Sequence, residues 1–248
     1  MESCLTYIVP EAVEEYKEYH RTICFNLNRM ILNVAFLKKA VNMQQIFGPC
    51  RNDYVISELY NNEFELLALR LYRTLYDEGA DAITLPKLQS KLFRHYLLPQ
   101  FKEELSQRLK SVSWKNADVI AARKRTEDVI PIFRNTFIAH SLVNDVEELS
   151  YSFEDAEKVI MAACDLFSKL DFGASEFYSD EEKANLNHNK EQTVCEECME
   201  RFFLYQSLSS YSISEIDCIF TNIKAKNQTA IQSAIGQINA NVKHSSIF

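Results

Sequence analysis

Apolar side chains recur along this chain at steps of three and four, the spacing that lays one water-shunning stripe along an α-helix. The first stripe is Val13, Tyr16, His20, Ile23, Leu27, Met30, Ile31 and Val34, and it predicts a helix of about 25 residues or more, closed by Gly48 and Pro49. A second runs through Phe64, Leu67, Ala68, Leu71, Tyr72 and Leu75 toward Gly79. Thr84 is placed to cap a third, with Pro86 tolerated in its first turn because the missing N–H would have no helical partner there. Leu85, Leu88, Leu92 and Tyr96 line it as far as Pro99, and Phe101, Leu105 and Leu109 continue the pattern. From Ala117, the residues Ile120, Ile130, Phe133 and Phe137 predict a fourth helix that Pro131 should kink or restart. Ser152 followed by Asp155 is a capping pattern ahead of Ala156, Ile160, Ala163, Cys164, Phe167 and Leu170, a fifth helix ending near Gly173.

Strand-like alternation is nowhere convincing, and only four glycines and five prolines punctuate 248 residues. A many-stranded protein would need turn residues far more often. The expected fold is therefore all-α, an antiparallel helical bundle over residues 1–172, with residues 173–248 as a polar linker and a helical C-terminal extension. In that extension Ile213, Ile216, Phe220, Ile223, Ile231, Ile235, Ile238 and Val242 lay an isoleucine-rich stripe in an Asn- and Gln-rich background.

Composition narrows the function classes. A formal net charge of −8 argues against indiscriminate nucleic-acid binding, which depends on Lys and Arg against phosphate, so any such contact must be local. The N-terminal MESCLTYIVPEAVEEYKEYH is too acidic for a signal peptide and no apolar run is long enough to span a bilayer, so a cytoplasmic location without membrane contact is expected. Seven cysteines at irregular spacing fit free thiols better than a disulfide framework.

The chemistry concentrates in residues 133–140, FRNTFIAH. Five residues separate Arg134 from His140, which on an ideal helix is about 9 Å along the axis and roughly 120° around it. The two need a bend near Pro131, or a facing subunit, to share a cleft. An imidazole that titrates near neutrality and a guanidinium that holds phosphate are the groups required when an RNA 2′-hydroxyl attacks its own phosphodiester. Asn135 adds an uncharged hydrogen-bonding group beside them. That route needs no metal and no cofactor.

The motif Arg-Asn-x-x-x-Ala-His resembles the signature of the HEPN superfamily, in which an Arg, usually followed by a polar residue, precedes a His by four to six positions. The motif sits late in an all-helical region, after a helix reading EFELLALRLYRTLYDEGADAITL that looks like the abortive-infection and toxin branches of the superfamily. The resemblance implies a homodimer with motifs facing each other across the interface, and a metal-independent endoribonuclease acting as a toxin or anti-phage defence effector. Carried over by position, Arg134 binds phosphate, His140 transfers a proton and Asn135 assists. The implied partners are an RNA substrate, with tRNA as one candidate, and an antitoxin or defence-system protein. Ser-Leu-Val follows His140 here, so the tyrosine that one toxin subfamily carries at this place is missing.

Other residues have competing readings. Arg123, Lys124 and Arg125, and Arg70 and Arg73, are candidates for guiding RNA, while a solvated face offset by Glu127 and Asp128 for the first group, and pairing with Glu63 or Asp77 for the second, are the more frequent explanations of such clusters. His188, Cys195, Cys198 and Cys218 invite a zinc reading, but a single Cys-x-x-Cys among Glu196, Glu197 and Glu200 is weak support for it, and no metal site is expected. His20 and His95 read as core-edge residues. The alternative to the enzyme is a catalytically silent helical module that binds a protein or nucleotide.

Overall fold

The computed structural model of the protein describes residues 6–47, 53–134, 151–179 and Thr221. Among these the fold is all-α. Six α-helices are described: α1 (Val13–Phe47), α2 (Asp53–Leu71), α3 (Leu85–Lys91), α4 (Lys102–Arg108), α5 (Ala117–Phe133) and α6 (Phe153–Lys169). Extended pairing among the described residues is confined to one antiparallel bridge between Ile8 and Leu97. No helix among them is long and apolar enough to cross a membrane.

The chain packs as two compact units, one of Met1–Val34 with Glu63–Glu191 and the other of Ala35–Asn62 with Gln192–Phe248. The change in composition after Gly173 thus falls within the first unit as packing defines it. In the second unit, Ala35, Leu37 and Ala40 of α1 are buried.

Within the first unit the predicted stripes form the core. Val13, Tyr16, His20, Ile23, Leu27, Met30 and Val34 of α1 are buried, as are Leu67, Ala68, Leu71 and Leu75, and Leu85, Leu88, Leu92 and Tyr96. The α2 stripe outruns its helix, because Tyr72–Tyr76 winds on as a wider π turn, and Leu92–Tyr96 does the same after α3. Thr84 caps α3, its hydroxyl accepting from the Lys87 N–H at 3.4 Å, with Pro86 in the first turn. Ser152 caps α6, accepting from the Asp155 N–H at 3.3 Å, and Gly173 takes the left-handed φ of 80° just beyond the helix.

α5 departs from the expected face at Ile120, and it runs through Pro131 to Phe133 as one helix, so of the kink or restart expected at that proline the restart does not occur. Proline takes one N–H from the ladder and crowds the carbonyl four residues back. That residue is Glu127, which is exposed, so water can serve its carbonyl. Ile120 is 51 % exposed, whereas Ala122, Thr126, Ile130 and Phe133 form the buried face. Those four lie at steps of four, four and three. Thr126 substitutes for a hydrocarbon there because its hydroxyl is satisfied at the Arg123 carbonyl at 2.9 Å.

The segment after α6 is fastened to α1 and α4. The Tyr16 hydroxyl donates to the Leu170 carbonyl and accepts from the Phe172 N–H, both at 2.8 Å. Arg108 donates to the Asp171 carbonyl at 2.8 Å and lies 4.2 Å over the Phe172 ring. His20 shares a hydrogen bond between its Nδ1 and the Tyr178 hydroxyl and packs 4.4 Å from the Phe167 ring, while its Nε2 lies 3.8 Å from Asp171 Oδ1. Burial pushes the His20 imidazole down to about 4, against a smaller opposing pull from Asp171. Burial also pushes the thiols of Cys24 and Cys164 up to about 11 and about 12, so neither is an activated nucleophile.

Candidate functional site

Arg134 is the one residue of the expected catalytic set within the described residues; Asn135 and His140 lie outside them. It follows Phe133 at the end of α5 with helical φ and ψ of −58° and −44°, its N–H still bonded to the Ile130 and Pro131 carbonyls. Phe133 is buried and fixes the register of this last turn. Half-buried, Arg134 places its guanidinium 5.1 Å from the centre of the Tyr72 ring. That is within the range of cation–π attraction.

Three aromatic rings hold the neighbourhood. Phe64 and Tyr151 stack at 4.0 Å with 10° between planes, and Phe133 meets both edge-on, at 6.2 Å from Phe64 and 5.6 Å from Tyr151. The Tyr151 hydroxyl donates to the Phe64 carbonyl at 2.6 Å, which removes the cost of placing a phenol in an apolar cluster. α2 therefore supplies a common seat for Phe133 and Tyr151, the residues on either side of 134–150. Twelve residues beyond Phe64, the Tyr76 hydroxyl meets Thr126 Oγ1 at 2.5 Å and ties the π turn to α5. Burial raises that phenol to about 12, so it stays neutral as a hydrogen-bonding group.

The candidate RNA-guiding residues are dispersed. Arg70 donates to Asn33 Oδ1, and Asn33 Nδ2 donates in turn to Glu63 Oε2, so the expected pairing of Arg70 with Glu63 runs through a buried amide. Burial pulls the Arg70 guanidinium below its usual range, with Glu63 opposing and Arg29 reinforcing the shift. Arg125 grips Asp155 with two donors of one guanidinium edge, Nε to Oδ2 at 2.6 Å and Nη2 to Oδ1 at 2.8 Å, and this holds the Asp155 carboxyl below the ordinary carboxylate range. Arg123 lies 4.1 Å over the Trp114 ring, and Arg73 and Lys124 are exposed. The arginines at 70, 123 and 125 thus meet three different sets of neighbours.

Among the described residues no group of three or more His, Cys, Asp or Glu side chains is arranged to hold a metal. His188, Cys195, Cys198 and Cys218 lie outside them. Sequence reasoning missed Tyr72 and Tyr151 as neighbours of the motif. Tyr72 was accounted for by the stripe of its own helix, and a ring that faces a cation 62 positions away leaves no mark in local spacing. Comparison with family models, with curated proteins and with solved structures gives no match.

Proposed function

We propose that the chain is a metal-independent endoribonuclease of the HEPN type, acting as a toxin or defence effector. Arg134 holds the scissile phosphate, His140 moves the proton and Asn135 assists. The observation that carries this reading is the Arg-Asn-x-x-x-Ala-His motif starting at the last turn of a long helix, in a fold that is all-α among the described residues. The chemistry follows from the residue types. Attack by the 2′-hydroxyl needs a group that accepts its proton, and an unperturbed imidazole is half-protonated close to neutral pH. Negative charge grows on the phosphate in the transition state, and a guanidinium fork answers it through paired N–H donors. A homodimer would bring two copies of the motif to one groove.

The partnerships of Arg70, Arg123 and Arg125 favour a narrower role for these residues than guiding RNA, and they keep the second reading in view, a catalytically silent module that binds a protein or nucleotide. One assay decides between the two. Purified protein is incubated with tRNA and total cellular RNA in excess EDTA, beside Arg134→Ala and His140→Ala. Cleavage by the wild type that ends in a 2′,3′-cyclic phosphate, and is lost in both variants, is the expected result. Intact RNA throughout, or unchanged cutting by both variants, removes the enzyme reading.

A further inference from the structure

We infer that Tyr72 is a positioning residue for Arg134, presenting the guanidinium edge-on to an RNA phosphate; this rests on the ribonuclease reading above. The geometry comes from two elements that meet twice. Phe64 of α2 contacts Phe133 of α5 at 6.2 Å, and eight residues on, Tyr72 contacts Arg134 at 5.1 Å, so the last residue of α5 and the residue that follows it rest on rings of one continuous helical segment. Both partners are fixed from behind. Tyr72 opens the π turn Tyr72–Tyr76, in which Thr74 and Leu75 are buried and Tyr76 is tied to Thr126 of α5. Such local widening of a helix recurs at functional sites because it re-aims a side chain. Arg134 is fixed by its helical backbone and by Phe133 in the aromatic cluster.

The chemical consequence follows from the shape of guanidinium. Its attraction to an aromatic ring uses the planar face, whereas its N–H donors all lie in the plane, so stacking and phosphate binding use different parts of one group. An arginine already held against a ring has lost part of its side-chain freedom, so less ordering entropy opposes phosphate binding. Without the ring the same arginine keeps its charge and loses its aim.

The test uses the full-length chain and a 2′-O-methyl RNA, which has no free hydroxyl to attack and stays intact, with Kd read by fluorescence anisotropy. Tyr72→Leu is expected to weaken binding about tenfold, the loss of roughly one cation–π contact and its alignment. Tyr72→Phe, which keeps the ring face, is expected to stay within about twofold. In an Arg134→Ala background, Tyr72→Leu should weaken binding no further, because the ring then has no cation to aim. Wild-type affinity in Tyr72→Leu overturns the inference, and so does an equal loss with and without Arg134, which marks a merely structural ring. If Tyr72→Leu fails to fold, Tyr72→Met repeats the test with an unbranched chain. Binding of the 2′-O-methyl RNA with no cleavage of unmodified tRNA or cellular RNA by the wild type removes the ribonuclease reading while the binding cycle still decides the role of Tyr72. RNA that is neither bound nor cut removes both.

Discussion

Acidification from pH 7 to pH 4 perturbs one buried group whose sign and size can be worked through, His20. Its side chain is 2 % exposed and its imidazole is depressed from 6.5 to about 4 by burial. In the unfolded chain the imidazole takes a proton as pH falls through about 6.5, whereas in the folded protein it resists until about 4. Between those values the unfolded state binds more protons, so stability falls as pH falls. The contribution is fully present above about 6.5, fades across the window and is gone below about 4. A depression of this size, at 1.36 kcal/mol per pH unit, corresponds to about 3 kcal/mol. Urea unfolding at pH 7, 6, 5 and 4 is the assay, run on the wild type and on His20→Asn, whose amide can still meet the Tyr178 hydroxyl but does not titrate. Glu15, Asp155 and Asp165 are held below the ordinary carboxylate range and also lose stabilising charge in acid. They do so in both proteins, so the difference between the two curves isolates His20. The variant is expected to be less stable at pH 7 and to lose less stability between pH 6.5 and 4. Parallel curves, or an imidazole signal in the folded protein titrating near 6.5, would refute the reasoning.

Two further outcomes are expected. Tyr16→Phe leaves the Leu170 carbonyl and the Phe172 N–H without their buried partner, and should cost about 1–3 kcal/mol in urea unfolding while the helix content by circular dichroism is kept; a change under about 0.5 kcal/mol would show that water replaces the hydroxyl. Ile130→Ala should cost about 2–5 kcal/mol by opening a cavity, whereas Ile120→Ala, at a 51 % exposed position of the same helix, should cost well under half as much; equal costs would contradict the assignment of the buried face of α5.

Helix stripes were legible where every inward position carries a hydrocarbon. The runs through Leu67 and Leu71 and through Leu85, Leu88 and Leu92 became core as read, and the caps at Thr84 and Ser152 follow from local hydrogen-bonding chemistry alone. α5 was harder because its buried face includes Ala122 and Thr126, one nearly featureless and one polar, while the conspicuous Ile120 faces water. Thr126 is tolerated inside only because the Arg123 carbonyl and the Tyr76 hydroxyl satisfy it, and the second of these is fifty positions away in the chain. The candidate site divides the same way. Arg134 announces itself through residue type and spacing, but the Tyr72 ring against it and the Phe64, Phe133 and Tyr151 cluster behind it are products of tertiary packing, which no local period encodes. The bidentate hold of Arg125 on Asp155 was equally hidden, since two charges thirty residues apart look like ordinary solvated surface until two helices meet.

The two-way hydrogen bond of Tyr16 also bears on the order of folding. An isolated helix end leaves its last carbonyls to water or to a nearby glycine. Here part of that ending is supplied by a phenol 154 positions earlier in the chain. The contact that finishes the C-terminal end of α6 thus spans a long stretch of chain, and the entropy of closing so long a loop has to be offset by the rest of the docking interface. During synthesis Tyr16 is made well before Leu170 and Phe172, so its hydroxyl can take up these two partners only after the residues of α6 have been added.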